Sequence, residues 1–215
     1  MATVHGNHLM DRPYRVPEGL SSWLDVVTTA AGHRFAQRPP GRYRTGGFDD
    51  FAAFPGVREY RLDGTGAWRR LDGGGDLTVE GRLIGGCVET LAPLAWTPFL
   101  DTTAFARAEA PEGLLVYLEA ADADAFTMCR LLHGVRPAGF FERARAVLVG
   151  RRDVPDSPGF GQYEAVVDAP GPLGVPLPSD VECGHVPPYL ALVNGALARV
   201  EYSASGRGVL TQSLV

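Results

Sequence analysis

From residue 77 onward the sequence alternates strand-like and helix-like stretches, and this alternation restricts the fold more than any other property of the chain. Residues 77–84 carry a strand pattern, Gly85 and Gly86 follow as a turn, and residues 88–94 read as a helix. A strand over 114–119 precedes a helix over 121–133, in which Phe126, Cys129, Leu132 and His133 fall along one stripe. A strand over 144–150 and a short helix over 163–169 come next. Residues 175–178 form an interrupted strand, which its prolines restrict to an edge or a bulge. Residues 188–193 and 196–202 lead to 208–215, read as a closing β pair. Strands alternating with helices predict a layered α/β core.

The stretch before residue 77 is less regular. Residues 1–5 predict a strand, and residues 22–31 a short helix capped by Ser21 or Ser22. Residues 37–50, rich in Pro, Gly and Arg, predict a loop. Residues 57–62 and 67–71 predict an antiparallel pair across a turn at Gly64, Thr65 and Gly66. The three consecutive glycines 73–75 mark the best boundary in the chain and divide it into 1–76 and 77–215.

Composition excludes several functions. With 215 residues, 45% of them apolar, the chain can bury the core of one large domain or two small ones. A net charge of −5 and the lack of any basic run argue against a nucleic-acid partner. There is no apolar run of the roughly 18 residues a membrane span needs. Residues 1–5 lack the basic start and apolar middle of a signal peptide, so the expected compartment is the cytoplasm. Cys87, Cys129 and Cys183 make no disulfide framework and are expected as reduced thiols.

Two strand ends carry groups with chemical potential. The strand over 114–119 ends in Glu119, and the stretch 175–185 ends in a loop carrying His185 beside Gly184. In open α/β sheets ligands bind beyond the carboxyl ends of strands. A carboxylate on one imidazole nitrogen fixes the tautomer and stabilises the imidazolium formed when the other nitrogen takes a proton. Taken singly, Glu119 also reads as a solvent-facing or helix-capping carboxylate, and His185 as a packed or surface histidine. Asp180 and Glu182 read as solvated loop charges, and Trp23, Trp68 and Trp96 as core or rim aromatics. His5 and His8, taken with Cys183 or His185, match no zinc spacing, and no metal is expected. Gly85 and Gly86 lack a phosphate-binding pattern.

An ordered set of short motifs goes further. It comprises Gly81 to Cys87 (Gly-Arg-Leu-Ile-Gly-Gly-Cys), Trp96-Thr97-Pro98, Leu118-Glu119, Arg130-Leu131-Leu132 and Val147 to Gly150, then Asp180 to His185 and Asn194-Gly195-Ala196. In this order they resemble the LD-carboxypeptidase family of serine peptidases, which includes muramoyl-tetrapeptide carboxypeptidases and microcin C immunity peptidases. The resemblance implies an α/β fold: the remnant of an N-terminal α/β domain with its linker over 1–76, and a C-terminal mixed α/β domain over 77–215. It implies hydrolysis of an amide between an L-centre and a D-amino acid in a murein peptide by a Ser–Glu–His triad, with no cofactor. It puts the glutamate role on Glu119 and the histidine role on His185, His185 acting as base and then acid. A murein peptide or similar small peptide is the implied substrate. No nucleic acid or membrane is implied, and a homodimer is a reasonable expectation.

The family's serine lies on a sharp strand-to-helix turn upstream of the segment that Val4, His5, Gly6 and Asn7 resemble. Ser21 and Ser22 lack the elbow pattern, Ser157 sits in a turn, and Ser179, Ser203, Ser205 and Ser213 come too late in the order. The expectation is therefore a chain without its nucleophile segment, inactive as it stands. The alternatives are a non-catalytic muropeptide-binding protein or a fragment of a microcin C-type immunity peptidase. Two departures stand out: Cys87 where the family carries Asn after its paired glycines, and Ala120 where Asp often follows the glutamate.

Overall fold

A computed structural model describes residues 2–7, 14–47 and 49–215. In chain order the elements are β1 (Thr3–His5), α1 (Trp23–Val27), β2 (Arg34–Gln37), β3 (Arg42–Tyr43), β4 (Gly64–Thr65), β5 (Arg69–Arg70) and β6 (Leu77–Cys87). There follow α2 (Val88–Leu94), α3 (Thr102–Glu109), β7 (Leu114–Glu119), α4 (Ala125–Val135), β8 (Ala144–Val149) and α5 (Gln162–Asp168). After a 3₁₀ turn over Gly171–Leu173 come β9 (Pro178–Ser179), β10 (Leu192–Asn194), β11 (Leu197–Tyr202) and β12 (Gly208–Ser213).

The frame is a six-stranded mixed sheet in the order β2-β12-β11-β6-β7-β8. β6, β7 and β8 run parallel, and the remaining neighbours are antiparallel. Every residue of β7 is buried, as expected for a parallel strand covered on both faces. Alternate side chains serve opposite layers. Leu114, Val116 and Leu118 pack with Met128, Leu132 and Val88 under the helices. Leu115 and Tyr117 pack with Leu83, Leu148, Leu190 and Trp68 on the other face.

Buried amides extend the ladder where strands stop. Gln37 donates to the Ala191 carbonyl (2.9 Å) and accepts from the Ala191 amide (3.1 Å). Gln212 accepts from the Val193 amide (2.8 Å) and donates to the same carbonyl (2.7 Å). The segment after His185 is thereby fixed against the sheet, and β1 pairs with its end, His5 opposite Leu192.

The layered α/β expectation is met, with local corrections. No turn forms at Gly85-Gly86: β6 continues to Cys87, and Gly85 serves a close strand contact, since a Cβ there would lie 1.8 Å from the Tyr117 carbonyl oxygen. The expected hairpin over 57–71 does not form. Arg58, Glu59 and Arg61 are exposed and offer no face to bury. β4 pairs instead with β3, inside the expected loop 37–50, and β5 pairs with β9. β2 and α3 were not expected; α3 is capped by Asp101, which accepts from the Ala104 amide (2.8 Å). α1 starts at its Ser22 cap and stops early, where Thr28 and Thr29 bond back to the Leu24 and Asp25 carbonyls.

Candidate active site

The carboxyl ends of β6 and β7 lie side by side, with Cys87 in register with Glu119. The end of β8 continues through Gly150, which bridges in parallel to Val181 and so brings the loop 181–185 alongside. Glycines make this approach possible: a Cβ on Gly150 would sit 2.4 Å from the Cys183 carbonyl oxygen and 2.9 Å from Glu119 Cβ. Gly184 has φ +106°, and a Cβ there would lie 2.8 Å from Glu119 Cβ.

These contacts set His185 Nδ1 2.9 Å from Glu119 Oε2. The two residues named from strand ends 66 positions apart are thus in direct contact. Glu119 is 1% exposed, whereas the His185 side chain is 43% exposed. The carboxylate is held in the fold and the imidazole faces outward. With Nδ1–H donated to the carboxylate, Nε2 of the neutral ring keeps its lone pair. The bond to Glu119 raises the His185 pKa above 6.5 against the opposing effect of burial.

A second histidine approaches the same carboxylate. His5 Nε2 is 4.0 Å from Glu119 Oε1, and its ring packs on Tyr117 at 5.4 Å between centroids. Nothing in the sequence around His5 signals this placement, which follows from the pairing of β1 with β10. His8 lies outside the described residues.

Glu89 is a further residue the sequence did not announce. Its Oε1 accepts the backbone amides of Ala121, Asp122 and Ala123, each at 3.0 Å, and its Oε2 accepts from the Cys87 thiol at 3.0 Å. The expected helix start at 121 is therefore displaced: those amides belong to Glu89, and Asp124 caps α4 by accepting from Thr127 (2.8 Å). Burial raises the Glu89 pKa, but the Cys87 thiol and the amides outweigh it, so the net shift is downward. Burial, the bond to Glu89 and the nearby Glu119 charge push the Cys87 thiol up to about 11. Asn194 secures β6 from the other side, accepting from the Gly85 amide at 3.0 Å.

The loop charges are not solvated. Asp180 and Glu182 are 4% and 1% exposed. Glu182 accepts from Trp68 Nε1 (2.6 Å) and Arg151 (3.1 Å). Asp180 accepts from the Tyr163 hydroxyl (2.9 Å) and pairs with Arg69. Arg151 also donates to the Asp180 carbonyl at 2.9 Å and lies over the Tyr43 ring. Burial raises the Glu182 carboxyl, and Trp68 and Arg151 pull it back only in part. Of the three tryptophans, Trp68 is a buried member of this network, whereas Trp96 is 64% exposed.

Four of the seven serines have defined side-chain bonds, and the buried Ser179 hydroxyl has none among the described residues. Ser22 caps α1, Ser157 accepts from the Phe126 amide, and Ser203 and Ser205 bond each other. Two clefts of about 700 and 650 Å³ open on the surface, and neither is lined by Glu119 or His185. Among the described residues no helix is long and apolar enough to cross a membrane.

Comparison with known proteins agrees with this architecture. The MccF microcin C7 self-immunity protein in complex with glutamyl sulfamoyl guanosine is 18% identical over 99% of this chain and 61% of its own, with a TM-score of 0.69. The MccF-like protein from Bacillus anthracis str. Ames is 16% identical over 100% and 61%, with a TM-score of 0.65. Muramoyltetrapeptide carboxypeptidase from Oxalobacter formigenes is 22% identical over 64% and 46%, with a TM-score of 0.54. At these identities the likeness is one of fold, and the chain spans about half to three-fifths of the length of these structures. No curated protein sequence gives a significant match. The LD-carboxypeptidase C-terminal domain profile matches residues 80–200, more than half of the chain and including both Glu119 and His185. The chain therefore belongs to the LD-carboxypeptidase family.

Proposed function

We propose that this chain carries the glutamate and histidine of a serine-type LD-carboxypeptidase, acting on the amide between an L-centre and a D-amino acid in a murein peptide. The observation that carries this reading is the 2.9 Å contact between a buried carboxylate and a half-exposed imidazole at the carboxyl ends of the parallel strands of the mixed sheet. His185 Nε2 takes the proton of an attacking serine hydroxyl and returns it to the leaving amine; Glu119 orients the ring and stabilises its charged form. Base catalysis of this kind is worth roughly 10²–10⁴-fold in rate. The residues need neither a metal nor an organic cofactor for this role.

On the same reading the nucleophilic serine is not among the residues of this chain. Four of the seven serines cap a helix, accept a backbone amide or bond each other, and none of the seven stands in a strand-to-helix elbow pattern. The division into an N-terminal part over 1–76 and a C-terminal domain over 77–215 belongs to the proposal and is supported by the family match beginning at residue 80. So do a cytoplasmic setting and a homodimer, the latter checked by sedimentation. The purified chain, incubated with a tetrapeptide muropeptide, is expected to release no D-alanine. Release that depends on His185 would overturn the absent nucleophile, and release that survives His185→Ala would overturn the mechanism.

A non-catalytic muropeptide-binding role is the second reading, favoured by the lack of a serine in an elbow pattern in this sequence. Saturable muropeptide binding without turnover, undiminished in His185→Ala, distinguishes it. The fold shared with MccF keeps a microcin C-type immunity peptidase as a variant of the first reading, tested by offering a peptide–nucleotide conjugate as substrate.

A further inference from the structure

Helices α4 and α5 pack together on the helix-covered face of the sheet, and their surface carries a group of side chains that the Glu119–His185 chemistry does not use. Cys129 and His133 are four residues apart on α4 and so project from one side of the helix, one turn from each other. Asp168, the last residue of α5, faces both. Its Oδ2 is 2.7 Å from His133 Nε2 and 3.5 Å from Cys129 Sγ. One donor atom from each of the three lies within 4.8 Å of the others.

This spacing suits one small cation. A zinc-like ion sits about 2.0–2.3 Å from sulfur, imidazole and carboxylate donors, so such donors gather within a few ångströms of one another. The distances found here need only a slight opening of the His133–Asp168 contact. Sulfur, nitrogen and oxygen together favour a borderline transition metal over magnesium or calcium, which prefer oxygen alone. The His133 and Asp168 side chains are 47% and 56% exposed, so an ion enters from solvent and water can fill a fourth position. The nearby Arg136 guanidinium is turned to the Ala169 carbonyl, 3.2 Å away.

We propose that Cys129, His133 and Asp168 form a binding site for a divalent transition metal of the zinc class, which staples α4 to α5. Binding displaces the Cys129 thiol proton to solvent; the proton on His133 Nε2 leaves that nitrogen, to solvent from the imidazolium or to Nδ1 of the neutral ring, and the His133–Asp168 hydrogen bond is replaced by two metal–ligand bonds. The site joins two helices across 35 to 39 residues of sequence, and its role is structural.

Cobalt(II) titrated into the reduced, chelator-treated full chain tests this. The expected result is a one-to-one complex with a thiolate-to-cobalt charge-transfer band and tetrahedral visible bands, displaced by zinc. The band is kept in Cys87→Ala, lost in Cys129→Ala, and needs at least tenfold more cobalt in Asp168→Asn. Zinc at about 100 times its dissociation constant raises the melting midpoint of the native chain by about 5–10 °C, and raises that of Asp168→Asn by no more than about half as much at the same concentration. No band in the native chain, or an equal band in Cys129→Ala, overturns the site.

Discussion

At position 184 a single hydrogen atom in place of a side chain decides whether an imidazole reaches a carboxylate. Gly184 has φ +106° and no room for a Cβ beside Glu119. Gly184→Ala is expected to push the loop outward and break the His185–Glu119 bond. The same substitution is expected to lower the His185 titration midpoint, which the bond to Glu119 raises, as read by NMR of the imidazole ring. At position 87 the chemistry is muted. A thiol raised to about 11 carries roughly 100-fold less thiolate at neutral pH than one of ordinary pKa. Cys87 is therefore expected to react with iodoacetamide far more slowly than a free cysteine, and faster in Glu89→Gln, as followed by mass spectrometry. Glu119 was legible in the sequence because it ends a recognisable apolar run, and His185 because it sits beside Gly184 in the loop after a short interrupted strand. His5 was not, because its approach depends on which strand β1 joins, and three residues of strand do not encode a partner.

The elements show the same division between local and non-local information. β6, β7, β8, α2 and α5 were readable from apolar periodicity and breakers, whereas the start of α4 was not. The three amides at 121–123 would extend a helix in isolation, but Glu89, more than thirty residues earlier, collects them. Glu89→Ala leaves these donors without their carboxylate and is expected to lower stability by about 1–3 kcal/mol in urea unfolding. Gly85→Ala is expected to cost about 1–3 kcal/mol or more, because its Cβ would enter the β7 backbone at Tyr117. The paired glycines resemble a turn in the sequence; in the fold they lie within β6, and Gly85 packs where no Cβ fits against β7.

Over the whole molecule, three of the strands before residue 77 find partners near the other end of the chain, β1 with β10, β2 with β12 and β5 with β9, while β3 and β4 pair with each other. Such pairings carry no short-range signal, which is why 57–71 read as a local hairpin. Asp180 and Glu182 read as solvated charges for a similar reason, since their partners Arg69, Trp68 and Arg151 are distant in sequence. Arg151→Met leaves Glu182 buried without its cation and is expected to cost about 3–5 kcal/mol at pH 7. The penalty shrinks as pH falls and the Glu182 carboxyl, already raised by burial, takes up a proton; urea unfolding at both pH values checks it.

The pair at the centre of this account can be measured in the chain itself. Its linkage has a definite sign: His185 titrates above 6.5 in the fold, so the pair stabilises the protein fully below that pH and loses its contribution as pH rises through the elevated midpoint. An NMR titration of the His185 ring in the native chain and in Glu119→Gln reads this directly. The expected midpoint lies above 6.5 and drops clearly in Glu119→Gln. A native midpoint at or below 6.5, or one that the substitution leaves in place, would contradict it.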